Sequence, residues 1–202
     1  FQQLTEEVDL TVCEKEHVEY VRRITGGGAV FHEDEVTYSF IIKEDHPHIS
    51  KNILESYKSI CQAIMNGLDR FGVKTAYAPI NDILVNNKKI SGNAQTRKQK
   101  TVLQHGTILT DVDVDKMFRL LKVPNEKIKG KLIATVKERV TSLTHELQND
   151  FSFEDVSNSL KKGFEETFDI SLVNGTLSAE EQKLAESFEK TTFGSKEWNH
   201  QR

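Results

Sequence analysis

An α+β fold is what this chain predicts, and three observations carry that expectation. Strand-like runs occupy the first half and helical patterns crowd the second, an order that favours α+β over a doubly wound parallel sheet. A tight hairpin is written around Asn86-Asn87, because Asn tolerates the left-handed conformation that a two-residue turn demands. Between these regions lies one long segment with apolar residues at helical spacing.

Taken in order, Phe1-Gln2-Gln3 followed by the acidic Thr5-Glu6-Glu7-Val8-Asp9 reads as the end of a strand entering a loop. Residues 19–24 and 29–43 are strand-like, the second ending in Val36-Thr37-Tyr38-Ser39-Phe40-Ile41-Ile42. Ser50 is the expected cap of a long helix on which Ile53, Leu54, Tyr57, Ile60, Cys61, Ile64, Met65, Leu68 and Phe71 form an apolar stripe; Gly72 ends it. Cys61, on that stripe, reads as a core thiol. Strands are expected at 73–78, 83–86, 88–96 and 101–109, then a helix around 113–122 and a mostly helical part as far as 202. Ser152 with Asp155, and Ser178 with Glu181, have the spacing of N-terminal caps for helices 153–168 and 179–190. The length suits a single domain over residues 1–202.

Acidic residues outnumber basic ones, 31 to 27, which argues against general attraction to nucleic acid. No apolar stretch reaches the length of a membrane span, and no secretory pattern opens the chain. Cys13 and Cys61 have neither metal-ligand nor redox spacing, so a reducing cytoplasm is the expected setting.

Two segments carry chemistry. In Arg22-Arg23-Ile24-Thr25-Gly26-Gly27-Gly28-Ala29-Val30-Phe31-His32, three glycines permit positive φ and close backbone approach, with a basic residue before the bend and apolar residues after it. That pattern suits an anion such as a nucleotide phosphate, and it also suits an ordinary strand-to-strand turn. Thr25 either touches ligand or starts the turn. In the hairpin, a two-residue turn pairs Val85 with Lys88, Leu84 with Lys89, Ile83 with Ile90 and Asp82 with Ser91. One face then carries Ile83, Val85, Lys88 and Ile90. The other gathers Asp82, Leu84, Lys89 and Ser91, a carboxylate, an ammonium and a hydroxyl that suit a polar site or a solvated face with one ion pair. Register selects Lys89 over Lys88.

Together the glycine run and Asn81-Asp82-Ile83, Lys88-Lys89-Ile90-Ser91-Gly92-Asn93-Ala94 and Leu103-Gln104-His105-Gly106-Thr107 resemble the lipoate–protein ligase family of the biotin/lipoate ligase superfamily. Lys137 to Leu143 and Glu197-Trp198-Asn199 extend the resemblance over nearly the whole chain, toward the short archaeal-type members. The resemblance implies a mixed sheet flanked by helices, with N-terminal strands missing and no accessory C-terminal domain before Arg202. It also implies an ATP-dependent acyl-adenylate chemistry. Lipoate and ATP give lipoyl-AMP, and a lysine of a lipoyl-domain protein, either a 2-oxoacid dehydrogenase E2 subunit or the glycine cleavage H protein, then takes the acyl group. In that scheme Arg23, Thr25, Gly26, Gly27, Gly28, Ala29, Val30, Phe31, Asn81, Ser91 and Gly92 line the ligand. Lys89 clamps the carboxylate and the α-phosphate, and Asp82 helps hold Mg²⁺. His32 is expected to shape its loop and His105 to pack or hydrogen-bond beside the site.

Two features lean elsewhere. His32-Glu33-Asp34-Glu35 lacks the Gly-Asn usual in ligases, and Ser91 to Arg97 resembles the related octanoyl and lipoyl transferases, which need no ATP. Those transferases carry a cysteine nucleophile before the lysine segment, whereas Tyr77-Ala78-Pro79-Ile80-Asn81-Asp82 has none. The alternatives are therefore an acyl-carrier-dependent transferase, or half of a split ligase that needs an accessory subunit.

Overall fold

The computed structural model describes residues 2–123 and 129–201; Phe1 of the expected strand end, and residues 124–128 and 202 of the expected helical part, lie outside the described residues. In chain order the helices are α1 (Leu4–Glu7), α2 (Leu10–Lys15), α3 (Ile53–Asp69), α4 (Val114–Leu120), α5 (Lys129–Arg139), α6 (Leu143–Leu147), α7 (Phe153–Phe168), α8 (Ala179–Phe188) and α9 (Lys196–His200). The strands are β1 (Glu35–Lys43), β2 (Thr75–Ala78), β3 (Asp82–Val85), β4 (Lys88–Lys98) and β5 (Thr101–Leu109). The α+β class is the one expected. Two compact units share these elements: one holds Phe1–Phe31, Val114–Ile133 and Val173–Arg202, the other His32–Asp113 and Ala134–Leu172.

The sheet belongs to the second unit and runs β1-β5-β4-β3-β2. Where the resemblance implies a mixed sheet, every ladder is antiparallel, and the one parallel pairing among the described residues is the isolated bridge Lys89–Val140. The turns explain this for β3–β4 and β4–β5. Asn86, Asn87, Gln99 and Lys100 all take positive φ in two-residue connections, which join only antiparallel neighbours.

Helices α3 and α7 belong to this unit too, and a core built from both with sheet residues follows from the apolar spacing of α3. Cys61, Ile64 and Leu68 are fully buried there beside Val156 and Leu160 of α7 and Ile83, Ile90 and Ile108 of the sheet, and Ile60 is fully buried in a second cluster with Val102 and Phe168. Each such aliphatic side chain contributes roughly 2 kcal/mol of burial. The two helices approach closely at glycines: a Cβ on Gly67 would sit 3.0 Å from the Leu160 backbone, and the Ser159 hydroxyl donates to the Gly67 carbonyl at 2.8 Å. Two expectations for α3 change. Its cap is Asn52, whose side chain accepts from the Leu54 and Glu55 amides, because Ser50 is spent on the Asn52 amide. Ile53 and Leu54 begin the helix outside the packed stripe and are exposed. The capping boxes at Ser152/Asp155 and Ser178/Glu181 form as their spacing indicates.

The first unit departs more from the sequence reading. Residues 4–7 are helical where a loop was expected, and residues 10–15 form a second helix, with Asp9 capping α2 through the Thr11 and Val12 amides. Residues 19–24 form no strand. The Arg22 backbone is satisfied by side chains instead: its amide donates to Asn199 Oδ1 at 2.7 Å, and Trp198 Nε1 donates to its carbonyl at 2.7 Å. Residues 29–34 also stay outside β1, and Asp34 instead accepts the Thr110 and Asp111 amides with its carbonyl.

Candidate active site

Hairpin β3–β4 places the ammonium that the sequence singles out. Val85 pairs with Lys88 and Leu84 with Lys89, as the two-residue turn requires; the register then slips, so that Ile83 faces Ser91 and Asp82 faces Gly92. Ile90 is the extra residue of this bulge and goes into the core beside Ile83 and Val85. The slip corrects the expected Asp82–Ser91 and Ile83–Ile90 pairs. It carries Ser91 to the core face, where it is fully buried, and removes its hydroxyl from the face shared by Asp82 and Lys89. Gly92 takes that place.

The exchange matters for Lys89. Its side chain lies over Gly92, where a Cβ would come within 2.8 Å of its Cε and Nζ, and reaches Asp82 Oδ1 at 2.7 Å. Asp82 Oδ1 is buried, and the contact is ionic rather than an aligned hydrogen bond. Behind it, Lys89 is pinned through its backbone: its carbonyl accepts the Thr141 amide at 2.9 Å. Glu146 braces both sides of that junction, accepting from Thr141 Oγ1 at 2.6 Å and from Asn86 Nδ2 at 2.7 Å. No local pattern marks this brace, because Asn86 lies 60 residues from Glu146 in the chain.

Asn81 is expected at the ligand. The structure instead spends its amide on the carbonyl of Asn93, while Asn93 Nδ2 donates to the Asn81 carbonyl at 2.9 Å. Asn93 is buried and accepts from the Tyr38 hydroxyl at 2.6 Å, which in turn accepts from Gln104 Nε2. Asn81 therefore fixes the entry to β3 and, through it, Asp82. His105 sits in β5 opposite Ser39 and Ala94. His32 Nδ1 meets Glu35 Oε1 at 2.5 Å, which fits a loop-shaping role.

In the other unit, the glycine run folds around its own arginine. Arg23 Nη2 donates to the Gly26 and Gly28 carbonyls, each at 2.9 Å, and burial lowers its pKa. Gly27 has φ +107°, and a Cβ there would lie 2.7 Å from Arg23 Nη2. The Ala29 amide donates to Glu7 Oε2 at 2.9 Å. Thr25 is buried, Val30 is exposed, and Ala29 and Phe31 pack against a cluster of Val8, Cys13 and Leu120. The Lys116 ammonium stands 5.6 Å from the centre of the Phe31 ring.

Neither cysteine is exposed. Cys61 is completely buried, and burial pushes its thiol up to about 12, partly offset by the Gln104 amide. Cys13 is buried and its thiol is likewise raised by burial. Among the described residues no three His, Cys, Asp or Glu side chains gather to hold a metal. Asp82 alone suits Mg²⁺ only where a bound phosphate supplies further oxygens.

Comparison with known proteins points one way on family and two ways on donor. The lipoyl protein ligase A/B catalytic domain matches residues 1–165. Octanoyltransferase LipM of Clostridioides difficile is 34% identical over all of this chain and 81% of its own length. Among solved structures, a bi-partite lipoate protein ligase from Thermoplasma acidophilum, studied with its E2 lipoyl domain, superposes with TM-score 0.90 at 31% identity, over 99% of this chain and 77% of the other. A lipoate-protein ligase A bound with ATP gives TM-score 0.84 at 29% identity, over 99% and 79%.

Proposed function

The chain belongs to the lipoyl protein ligase A/B catalytic-domain family, an enzyme family of protein lipoylation, and from that premise we propose that it transfers an octanoyl or lipoyl group from an acyl-carrier thioester to a lysine of a lipoyl domain. Both units are taken as parts of one catalytic domain, working in the cytoplasm. Acceptors of the E2 or glycine cleavage H protein type fit, since the Thermoplasma relative is paired with an E2 lipoyl domain. Among the described residues no helix is long and apolar enough to cross a membrane.

The observation that carries this reading is the Lys89 ammonium, held over Gly92 by Asp82 at 2.7 Å. A neutral acceptor amine attacks the thioester carbonyl; the C–N bond forms, the C–S bond breaks, and the amine proton passes to the departing thiolate. Negative charge builds on the carbonyl oxygen on the way, and a fixed cation lowers the energy of that oxyanion. Asp82 holds the ammonium in place. With Cys61 and Cys13 buried and protonated, the acyl group goes directly to the amine, without an enzyme thioester.

A second reading is favoured by one specific observation: no cysteine stands between Tyr77 and Asp82, where the resembling transferases carry their nucleophile, while Asn81-Asp82 is the ligase-like pair. Here ATP would activate lipoate, with Lys89 clamping both anions and Asp82 holding Mg²⁺ through the phosphates. An accessory subunit then becomes relevant, because the Thermoplasma ligase is bi-partite.

One acceptor assay separates the readings. Apo lipoyl domain is incubated with octanoyl-carrier protein without ATP, with lipoate plus ATP, and with lipoyl-adenylate, and its mass is followed. Octanoylation from the carrier alone is expected. Modification only with lipoate and ATP replaces the transferase by the ligase, and modification only from the adenylate identifies half of a split ligase.

A further inference from the structure

The glycine loop already contains an anion, and it belongs to the protein. We propose that the Glu7 carboxylate is the resident anion of this loop and bars nucleotide phosphates from the Ala29 amide.

Glu7 Oε2 accepts the Ala29 N–H at 2.9 Å, the kind of backbone donor after a glycine bend that a phosphate oxygen would use. The carboxylate lies directly over the loop: a Cβ on Gly28 would be 3.2 Å from the same oxygen, so glycine is what lets it approach. Its position is set by well-anchored backbone. The Glu7 carbonyl accepts the Lys122 amide at 2.9 Å, and the next residue, buried Val8, bridges to Leu121. One nitrogen of the neighbouring cation is committed as well, since Arg23 Nη2 is bonded to the Gly26 and Gly28 carbonyls. The donor amide and one guanidinium nitrogen are thus both engaged within the first unit. A phosphate at the amide has to displace a negative charge that stays a few ångströms away, a repulsion of about tenfold or more in affinity for each pair of charges.

The inference rests on the acyl-carrier reading of the donor, because a transferase that takes its acyl group from a thioester has no use for a phosphate at this amide. It makes Glu7 a specificity residue.

Equilibrium titration calorimetry tests it, with ATP and inorganic pyrophosphate as probes. Wild type is compared with Glu7→Gln, Glu7→Ala and the exposed neighbour Glu6→Gln, each first checked for folding by circular dichroism. Glu7→Gln keeps an oxygen for the Ala29 amide while removing the charge, so it decides the matter even if Glu7→Ala fails to fold. Wild type and Glu6→Gln are expected to bind both probes weakly, and the Glu7 variants about tenfold more tightly, with the gain shrinking as salt rises. Tight ATP binding by wild type, or no gain in Glu7→Gln, overturns the proposal. Binding is read here without turnover. Failure of the carrier assay beside a gain in Glu7→Gln would therefore remove the donor reading and leave the anion gate standing.

Discussion

Lys89 and Asp82 meet at 2.7 Å across a strand pair whose register slips by one residue between them, and the slip puts Gly92 under the lysine side chain. Gly92→Ala tests that relationship. The new Cβ would press on the far end of a flexible side chain, which gives way without unfolding the hairpin. Melting temperature should hold within a few degrees while acyl transfer falls by about tenfold or more, since misplacing a reacting group by an ångström is that costly. Unchanged transfer would mean that the lysine works from another position.

Lys89→Ala removes the cation altogether. Its side chain is 41% exposed and that of Asp82 33%, and partly exposed pairs contribute only about 0–1 kcal/mol to stability. Urea denaturation should therefore find little change, whereas transfer should drop by about a hundredfold, the scale of losing one oxyanion donor. A variant that is stable and still active would sink the proposed chemistry.

Gly26 and Gly27 should respond differently to alanine. Gly26 has open space around its Cβ position, so stability there should stay within about 0.5 kcal/mol. Gly27 sits at φ +107° with Arg23 Nη2 in the way, and Gly27→Ala should cost about 1–2 kcal/mol. Equal denaturation midpoints for the two variants would contradict the loop conformation described.

Cys61 gives a pH signature. Its thiol titrates near 9 when unfolded and at about 12 in the fold, so the folded form keeps the proton that the unfolded chain gives up. The stability tied to this group is whole below pH 9 and is lost as pH rises toward 12. The advantage of wild type over Cys61→Ala should shrink by about 1.4 kcal/mol per pH unit above 9, read from denaturation midpoints. Transfer at neutral pH should be unaffected by Cys61→Ser, and a dead variant would favour a thioester route.

Local signals were legible in the sequence wherever a few neighbouring residues decide the outcome. Asn86-Asn87 specified the turn, the spacing of Ile60, Ile64 and Leu68 specified the buried stripe of α3, and the two Ser capping boxes formed as written. The choice of Lys89 over Lys88 followed from alternation beside a two-residue turn, and the ordered motifs indicated the family. Other features depended on groups distant in the chain. The bulge at Ile90 shifts the register of everything after it in β4, and so Ser91 and Gly92 exchanged faces. Residues 19–24 have strand composition, yet Asn199 and Trp198 satisfy the Arg22 backbone and no ladder forms.

By itself, then, the sequence determined the fold class, the hairpin turn and which lysine shares a face with Asp82, because propensity and alternation act over a few residues. Tertiary structure alone decided what that ammonium touches, that Asn81 is spent on Asn93, and that the Ala29 amide carries a carboxylate from Glu7. A side chain's partners depend on burial and register summed over the whole packed unit, and no local pattern contains that sum.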